Sequence, residues 1–304
     1  MIRVVVSGTG RLATMVLRML EEATDTEPVG LIRPRRMRDT GREGEQMIRV
    51  VVSGTGQMGT MVLHTIEEAE DTQPVGILEP VAPVSDSHTV YAMHADPGEL
   101  FEMVKPDVVV DFTHASATPQ LVEAALKHGV RPVIGTSGVS EETLTRLRHG
   151  CAEQGLGAVV ASNFAIGAVM LMYMARLGAR YFESAEIIEM HHDQKVDAPS
   201  GTALNTAQLM REARGHDFTY NVPELTHIDG TRGGVEGGIP IHSVRLPGLV
   251  AHQEVIFGGQ GQTLTLRHDS TGRDSFMPGV LLAIREVMER DHLVEGLDQL
   301  VGLT

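Results

Sequence analysis

A glycine-rich turn between an apolar run and a helical pattern is the feature that most constrains this fold. Residues 48–52 form a β-branched run that is typical of a buried parallel strand. The letters GTGQMG follow at once, and apolar residues then recur at helical spacing from Met61 to Ile66. Glycines let a backbone approach a diphosphate, and a helix N-terminus offers unpaired N–H groups to it. The pattern therefore predicts a dinucleotide site formed by Gly54, Thr55, Gly56, Gln57, Met58 and Gly59.

A second predicted strand, over residues 75–78, ends in Glu79, which lies about 20 residues beyond the turn, as in dinucleotide folds. A carboxylate at this point accepts hydrogen bonds from the adenosine ribose and repels a 2′-phosphate. Gln57 is neutral, and 2′-phosphate recognition needs Arg or Lys. NADH is therefore the expected cofactor, with NADPH as the alternative. A tight strand-to-helix turn without any ligand is the other interpretation of the glycine motif.

The chain repeats its own beginning. Residues 1–34 recur as residues 47–80, and 23 of the 34 aligned positions are identical. The charged stretch RRMRDTGREGEQ separates the copies and predicts a flexible linker. We expect residues 1–46 to be a duplicated β-α-β segment plus this linker. Two interpretations stay open: a redundant duplication or over-extended start, or a second nucleotide site or regulatory arm, in which Arg33 would suit a 2′-phosphate.

Strand and helix patterns continue to alternate beyond the second copy. Apolar runs at 108–113, 132–134 and 158–161 predict strands, and residues 119–128 and 141–149 predict the helices between them. Such alternation is typical of an α/β fold with a doubly wound, mostly parallel, Rossmann-like sheet. Ligands bind such sheets at the carboxyl ends of the strands, where the turns of this chain are rich in glycine and hydroxyl residues.

A dense polar segment follows a further predicted strand at 186–190. Residues 191–202 read HHDQKVDAPSGT, and so many ionisable groups cannot all be buried cheaply, which predicts a wet cleft. A histidine can pass a proton near neutral pH, and a helix start such as 199–202 can bind a carboxylate or phosphate. A surface loop with a capped helix is the alternative. No metal is expected, because neighbouring residues rarely chelate one ion and the H-E-x-x-H spacing is absent.

Composition excludes several classes of function. The chain has 25 basic and 40 acidic residues, a net charge of −15, which opposes binding to nucleic acid. Its longest apolar stretch is interrupted by polar residues, so no membrane span is expected. One cysteine, Cys151, rules out an internal disulfide, and without a leader-like N-terminus the expected location is cytoplasmic. The expected partner is a small molecule, not nucleic acid or a membrane.

Residues 189–202, EMHHDQKVDAPSGT, resemble the signature E-x-H-H-x-x-K-x-D-A-P-S-G-T of dihydrodipicolinate reductase (4-hydroxy-tetrahydrodipicolinate reductase). The turns DFTH at 111–114, GTSG at 135–138 and ASNFAIG at 161–167 resemble the cofactor-contacting loops of that family. Stretches between Arg245 and Phe276 resemble its actinobacterial branch. The resemblance covers about residues 47–304, whereas residues 1–46 lie outside it. In the glycine turn, Ser53 stands where the family has a glycine and Gln57 where it has a basic residue.

The resemblance implies NAD(P)H-dependent reduction of 4-hydroxy-tetrahydrodipicolinate, a cyclic imine with two carboxylates, in diaminopimelate and lysine biosynthesis. It implies that His191 donates or accepts a proton and that Lys195 is the second proton donor. Substrate contacts would come from His192, Ser200, Gly201 and Thr202. Besides the glycine turn and Glu79, it implies cofactor contacts from Phe112, Thr113, Gly135, Thr136, Ser137, Ala161, Ser162, Asn163, Phe164 and Arg273.

The resemblance also implies a homotetramer built on a mixed sheet in a second, α+β domain. Candidate strands for that sheet are 186–190, 241–246, 252–257 and 262–268. The expected boundaries are 47–162 for the dinucleotide-binding domain, completed by 272–304, and 163–271 for the substrate-binding and oligomerisation domain. Two other functions remain open: a related imine or amino-acid dehydrogenase on the same fold, and a catalytically silent nucleotide-binding sensor.

Overall fold

The computed structural model describes residues 2–7, 26–32, 47–79 and 91–303, and the chain divides into two units, 1–45 and 46–304. In the first unit, β1 (Ile2–Ser7) and β2 (Thr26–Ile32) pair in parallel. Their register shifts between Val4 and Val5, and the second copy shifts at the equivalent place, between Val50 and Val51. The two copies therefore pair their strands alike. The helix predicted between β1 and β2, Arg33 and the linker lie outside the described residues.

The second unit contains both strands and helices, which alternate over most of its first half. Its strands are β3 (Ile48–Ser53), β4 (Thr72–Leu78), β5 (Ala92–His94), β6 (Val108–Asp111), β7 (Arg131–Ile134), β8 (Ala158–Val160), β9 (Ser184–His191), β10 (Gly234–Glu236), β11 (Ile239–Arg245), β12 (Ala251–Gly259), β13 (Gln262–Ser270) and β14 (Leu293–Glu295). Its α-helices are α1 (Gln57–Glu68), α2 (Pro97–Val104), α3 (Thr118–His128), α4 (Glu141–Gln154), α5 (Ile166–Gly178), α6 (Gly201–Arg214) and α7 (Met277–Glu286).

A seven-stranded parallel sheet in the order β14-β8-β7-β6-β3-β4-β5 forms the first domain of this unit. Its central strands are continuous valine runs, residues 50–52 and 108–110, and they are buried because helices cover both faces. Val62 and Ile66 of α1 pack with Ile284 of α7 on one face. Leu100, Phe101 and Leu121, from α2 and α3, pack together on the other face. The predicted doubly wound sheet is confirmed.

A five-stranded mixed sheet in the order β10-β11-β9-β12-β13 forms the second domain. Strand β9 runs parallel to β11 and antiparallel to β12. Alternate residues of these strands are buried against α5 and α6, and the residues between them lie on the opposite face of the sheet. The buried set comprises Ala185, Ile187, Ile241, Val255 and Phe257 on the strands and Leu171, Ala175, Ala203, Ala207 and Met210 on the helices. The predicted mixed sheet is confirmed.

The chain passes between the two domains twice. It leaves the parallel sheet after β8 and returns through a 3₁₀ turn, Arg273–Phe276, which leads into α7. The two crossings meet closely, because a Cβ atom on Gly279 would lie 2.0 Å from the carbonyl oxygen of Phe164. Only a glycine allows α7 to approach the first crossing at this distance.

Some short elements have no counterpart in the sequence analysis, namely β5, α2, β10 and β14. Helix α2 carries an ordinary start signal, because the Asp96 side chain accepts a hydrogen bond from the backbone N–H of Glu99 at 2.9 Å, with Pro97 in the first turn. Helix α4 extends to Gln154, beyond its predicted end. Within the described ranges, no helix combines the length and apolar character needed to cross a bilayer.

Replacing Gly59 by Ala is expected to lower the free energy of unfolding by about 1–3 kcal/mol, because the new Cβ would lie 2.0 Å from the carbonyl oxygen of Gly54. Gly56→Ala in the same turn is the matched control, since Gly56 has a negative φ and no atom within 4 Å of its Cβ position. Urea denaturation of both variants checks this expectation. Equal midpoints for the two variants would show that the helix is not held closely against the turn.

Candidate active site

The glycine turn presents an open helix N-terminus at the edge of the parallel sheet. Gly54 has a φ of +91°, and a Cβ there would lie 2.8 Å from the Thr113 methyl carbon, so glycine is required. Helix α1 begins directly after Gly56, and no side chain caps it among the described residues. Its first backbone N–H groups and its positive dipole end are therefore available to an anion such as a diphosphate.

Glu79 lies beside this turn, at the end of β4. Its Oε2 accepts a hydrogen bond from the backbone N–H of Thr55 at 2.9 Å and another from the Thr55 hydroxyl. Its own backbone N–H donates to the carbonyl of His94 on the neighbouring strand at 3.0 Å. The structure thus brings the predicted ribose-binding carboxylate to the glycine turn.

A buried carboxylate joins the next two loops of the sheet edge. Asp111 is 1% exposed and accepts hydrogen bonds from the hydroxyls of Thr113 at 2.6 Å and Thr136 at 2.8 Å. The backbone N–H of Thr113 donates to the same Thr136 hydroxyl at 2.9 Å. The predicted cofactor residues that follow β6 and β7 are therefore held together by one network.

Aromatic packing continues this surface to the domain crossing. The ring of Phe112 meets that of Phe164 edge to face, with centroids 5.3 Å apart. A Cβ on Gly135 would lie 2.1 Å from the Phe112 ring, so glycine is needed beneath it. Ala161 is buried at the end of β8, whereas Ser137 and Ser162 are exposed on their loops.

Arg273 reaches the glycine turn from the second crossing. Its guanidinium donates a hydrogen bond to the side-chain oxygen of Gln57, the first residue of α1, 216 positions away in sequence. A cation therefore lies at the N-terminus of the helix that is expected to bind the cofactor diphosphate. A dinucleotide suits this set of groups: the open N-terminus of α1, the Glu79 carboxylate and the Arg273 guanidinium.

One pocket at the domain junction contains a predicted cofactor-binding residue as well as predicted catalytic and substrate-binding residues. His191 and Thr202 of the second domain line it together with Asn163 of the first crossing. The pocket also includes residues that the sequence analysis did not assign to a site: Ala165, Ala168, Ala251, His252, Gln253, His268, Ser270 and Phe276. Neither Lys195, His192 nor Gly201 lines this pocket. The polar segment and the cofactor loops nonetheless meet at one place.

Lys195 lies on the loop between β9 and α6. Its ammonium donates a hydrogen bond to Asp197 at 2.7 Å, and this bond lowers the pKa of the Asp197 carboxyl. The backbone N–H of Lys195 donates to the carbonyl of His192 at 3.2 Å, which forms a turn. His192 and Lys195 are half-buried, so the loop holds the imidazole and the ammonium close to the protein surface.

Ser200 starts helix α6. Its hydroxyl accepts a hydrogen bond from the backbone N–H of Ala203 at 3.2 Å, and its own N–H donates to Glu189 at 3.3 Å. This serine is 3% exposed, and its hydroxyl acts as the helix cap. Gly201 and Thr202 precede the first intrahelical bond, from Leu204 to Ser200, so their N–H groups are the ones suited to a substrate carboxylate.

Glu189 is a functional residue that the sequence analysis placed only in a motif. It is fully buried, and it contacts His191 Nδ1 at 2.6 Å and the Arg245 guanidinium at 2.7 and 2.9 Å. Burial alone would raise the pKa of this carboxyl, but hydrogen bonds from His191, Arg245 and Ser243 lower it to about 2. The available signal was alternation, because Glu189 lies on the same buried side of β9 as Ile187.

Two further histidines, His252 and His268, line the pocket, and they differ in their contacts. His252 has both ring nitrogens engaged, with Asp269 at 2.7 Å and the backbone N–H of Val250 at 3.3 Å. His268 packs against Gly167, and burial lowers its pKa. Within the described ranges, no group of three or more His, Cys, Asp or Glu side chains is placed to hold a metal ion.

Comparison with known proteins finds relatives of this chain in one enzyme family. Models of the N-terminal and C-terminal parts of dihydrodipicolinate reductase match residues 48–164 and 167–301. The 4-hydroxy-tetrahydrodipicolinate reductase of Geobacillus kaustophilus is 53% identical over 209 residues, which are 69% of this chain and 79% of the relative. That of Bacillus subtilis is 48% identical over 222 residues, which are 73% of this chain and 82% of the relative.

Solved structures agree with these matches. A dipicolinate-bound dihydrodipicolinate reductase from Paenisporosarcina sp. TG-14 superposes with a TM-score of 0.77 at 44% identity, covering 84% of this chain and 99% of that one. An amine dehydrogenase from Mycobacterium smegmatis has a TM-score of 0.54 at 14% identity, covering 81% of this chain and 94% of that one, a likeness of fold alone. From the family matches over both domains and the identity to these enzymes, we conclude that the chain belongs to the dihydrodipicolinate reductase family.

Proposed function

We propose that this chain reduces 4-hydroxy-tetrahydrodipicolinate to tetrahydrodipicolinate with a hydride from a reduced nicotinamide cofactor and a proton, while the 4-hydroxyl group leaves as water, as a step of diaminopimelate and lysine biosynthesis. The supporting observation is that His191, from the segment EMHHDQKVDAPSGT, lines the same pocket as Asn163 of the first crossing, a predicted cofactor contact that follows β8. The bound dipicolinate of the Paenisporosarcina relative is a small aromatic dicarboxylate, which agrees with a dicarboxylate substrate.

The dinucleotide would lie along the carboxyl edge of the parallel sheet. The N-terminus of α1 and Arg273 would hold its diphosphate, Glu79 its ribose, and the loops at Thr113, Thr136 and Asn163 the nicotinamide half. When bound, the reduced nicotinamide supplies the hydride. The side chains of the protein then have to orient the imine and manage its charge and protons.

The substrate carboxylates would bind at the start of α6. The N–H groups of Gly201 and Thr202 and the positive end of the helix favour one carboxylate, and the His192 ring and the Lys195 ammonium favour the other. Ser200 would act through the helix, because its hydroxyl is already engaged as the cap. This seat orients the imine against the cofactor loops.

Two groups are available to deliver protons. His191 contacts Glu189 through Nδ1, which leaves Nε2 as the nitrogen free to face the ligand. Lys195 Nζ, which donates to Asp197 in this structure, is the second proton donor. Negative charge that develops on the conjugated imine would be neutralised by a proton from Lys195 Nζ, or from His191 Nε2 when the imidazole is protonated on both nitrogens.

An NADH-oxidation assay coupled to dihydrodipicolinate synthase tests this proposal. The reductase consumes NADH only when the unsaturated imine is supplied, an amino-acid dehydrogenase reduces NAD with an amino acid, and a sensor binds cofactor but does neither. Running the assay with the full chain and with a chain beginning at Met47 separates the interpretations of residues 1–46. Equal activities favour a redundant copy, whereas a faster shortened chain favours a regulatory arm.

We propose the reducing cytosol as the compartment of this protein, since Cys151 is buried and free.

The double variant His191→Gln, Lys195→Ala is expected to lose about 100- to 10,000-fold in kcat, because proton transfer to the imine is removed. The control double variant replaces His292 by Gln and Lys127 by Ala, on the surface of the other domain. Steady-state kinetics with saturating NADH measures the difference. Near-normal turnover in the first double variant would refute the roles given to His191 and Lys195.

The kcat/KM with NADH is expected to exceed that with NADPH, because the Glu79 carboxylate repels a 2′-phosphate. Arg273→Gln should weaken both cofactors by the same factor, since the guanidinium at Gln57 faces the position of the shared diphosphate. Titrating both cofactors against the native chain and the variant measures these ratios. A higher kcat/KM with NADPH, or a loss confined to NADPH in the variant, would contradict this assignment.

We propose a homotetramer assembled through the face of the mixed sheet opposite α5 and α6. That face carries Ile188, Met190, Val244 and Ile256, and the register places Glu186, His242 and Glu254 on it as well. Four half-buried apolar side chains on neighbouring strands suit a self-complementary contact between copies of this sheet.

Replacing Ile256 by Lys is therefore expected to dissociate the tetramer, because a charge in an apolar contact is costly to desolvate. Light scattering after size-exclusion chromatography reports the mass. The control is Met103→Lys, an exposed position on α2 of the other domain. A tetramer that survives the first substitution would move the subunit contact elsewhere.

A further inference from the structure

We infer that Glu189 and Arg245 form a buried positioning pair that orients both reactive groups of the site, the imidazole of His191 and the loop that carries Lys195. The inference deepens the proposed function, because it rests on the roles proposed there for His191 and Lys195. Neither member of the pair lines the pocket. Both would act through the residues that they contact.

Sheet register brings the pair together. Strands β9 and β11 run parallel, with Ser243 opposite Glu189 and Arg245 opposite His191. The Arg245 side chain extends back towards Glu189 on the neighbouring strand. Its two terminal nitrogens donate to the two oxygens of Glu189, at 2.7 and 2.9 Å. This bidentate geometry fixes the rotation of the carboxylate.

The orientation of the carboxylate determines which nitrogen His191 presents. Glu189 Oε2, which accepts from Arg245, also contacts His191 Nδ1 at 2.6 Å. An ionised carboxylate only accepts, so Nδ1 carries the hydrogen and Nε2 is the nitrogen left to exchange a proton with the substrate. The pair therefore sets the tautomer of the imidazole as well as its position.

The same pair contacts the loop of residues 192–200 near its middle and at its end, and the residue after Arg245 holds its start. At its start, the backbone N–H of Leu246, next to Arg245, donates to the carbonyl of His191 at 3.1 Å. Further along, an Arg245 nitrogen donates to the carbonyl of Asp197 at 2.7 Å, and at the end the N–H of Ser200 donates to Glu189 Oε1 at 3.3 Å. Lys195 lies between these anchors, so its ammonium starts from a fixed loop.

The charges of the pair act on His191 in opposite directions. Its surroundings contain Glu189 on β9, Arg245 on β11, the Lys195–Asp197 pair and His192 on the loop, His252 with Asp269 across β12 and β13, and His268. Removing Glu189 leaves the Arg245 cation beside the imidazole, which disfavours the imidazolium. Removing Arg245 leaves the carboxylate alone with it, which favours the imidazolium.

Three variants test the inference: Glu189→Gln, Arg245→Met and the double variant that carries both. An amide has one accepting oxygen and cannot replace a carboxylate that serves His191, Arg245 and Ser200 together. The double variant removes both charges and remains informative if a single variant fails to fold. Glu123→Gln is the matched control, because Glu123 also accepts two bonds from an arginine, Arg146, but on the surface of the other domain.

The first readout is nitrogen-15 NMR of histidine-labelled, substrate-free protein, with His191→Gln used to assign the signal. In the native chain we expect the neutral imidazole to carry its hydrogen on Nδ1. Its titration midpoint should move to lower pH in Glu189→Gln and to higher pH in Arg245→Met, while the control leaves it in place. A native hydrogen on Nε2, or shifts of the same sign in both single variants, would overturn the inference.

The second readout is kinetic. We expect kcat of Glu189→Gln to fall about 100-fold or more, since a wrong histidine tautomer costs about 10,000-fold in a comparable carboxylate–histidine pair. Glu189→Asp, which keeps the charge, should recover part of this loss, and KM should change less than kcat. A folded double variant with native kcat would overturn the inference. The NMR result needs no turnover, so a chain inactive toward the imine but with the expected tautomer would contradict the proposed function alone.

Discussion

The carboxylate of Glu189, buried without any exposed surface, is the constraint on which the second domain's site depends. A buried anion is tolerated only when donors surround it, and here those donors come from three separate parts of the chain. Arg245 supplies the compensating cation, His191 a ring nitrogen and Ser200 the first N–H of a helix. Satisfying one charge therefore fixes a strand, a loop and a helix start relative to one another. The His191 imidazole and the start of α6 are held in place by an electrostatic requirement of the core.

Much of this arrangement could be predicted from the sequence, because local patterns carry it. The valine runs of β3 and β6, the glycine turn and the spacing of α1 are each readable within about ten residues, and they determine the parallel sheet. The polar segment 191–202 likewise predicts a charged loop that is followed by the start of a helix. The segment alone did not show that the Ser200 hydroxyl would be the cap of the helix.

Contacts between distant residues could not be predicted in this way. Glu189 and Arg245 are 56 positions apart, and they meet only because β9 and β11 are neighbours in one particular register. Arg273 and Gln57 are 216 positions apart and belong to different crossings of the chain. Short elements such as β5 and β14 contain too few residues for a period to be visible. The duplicated segment, by contrast, pairs its two strands in parallel as its repeat of the second copy predicts, although the family matches begin at residue 48.

The narrow passage between Gly279 and the Phe164 carbonyl has a mechanical consequence. Both connections between the domains run past this crowded spot, so it is the natural axis for any swivel of one domain against the other. Atoms beside an axis move little; Asn163 is next to Phe164, and Phe276 lies three residues before Gly279. A rotation that admits or releases ligands would therefore move the parts of the two domains that lie far from this axis. The residues next to the axis would stay aligned.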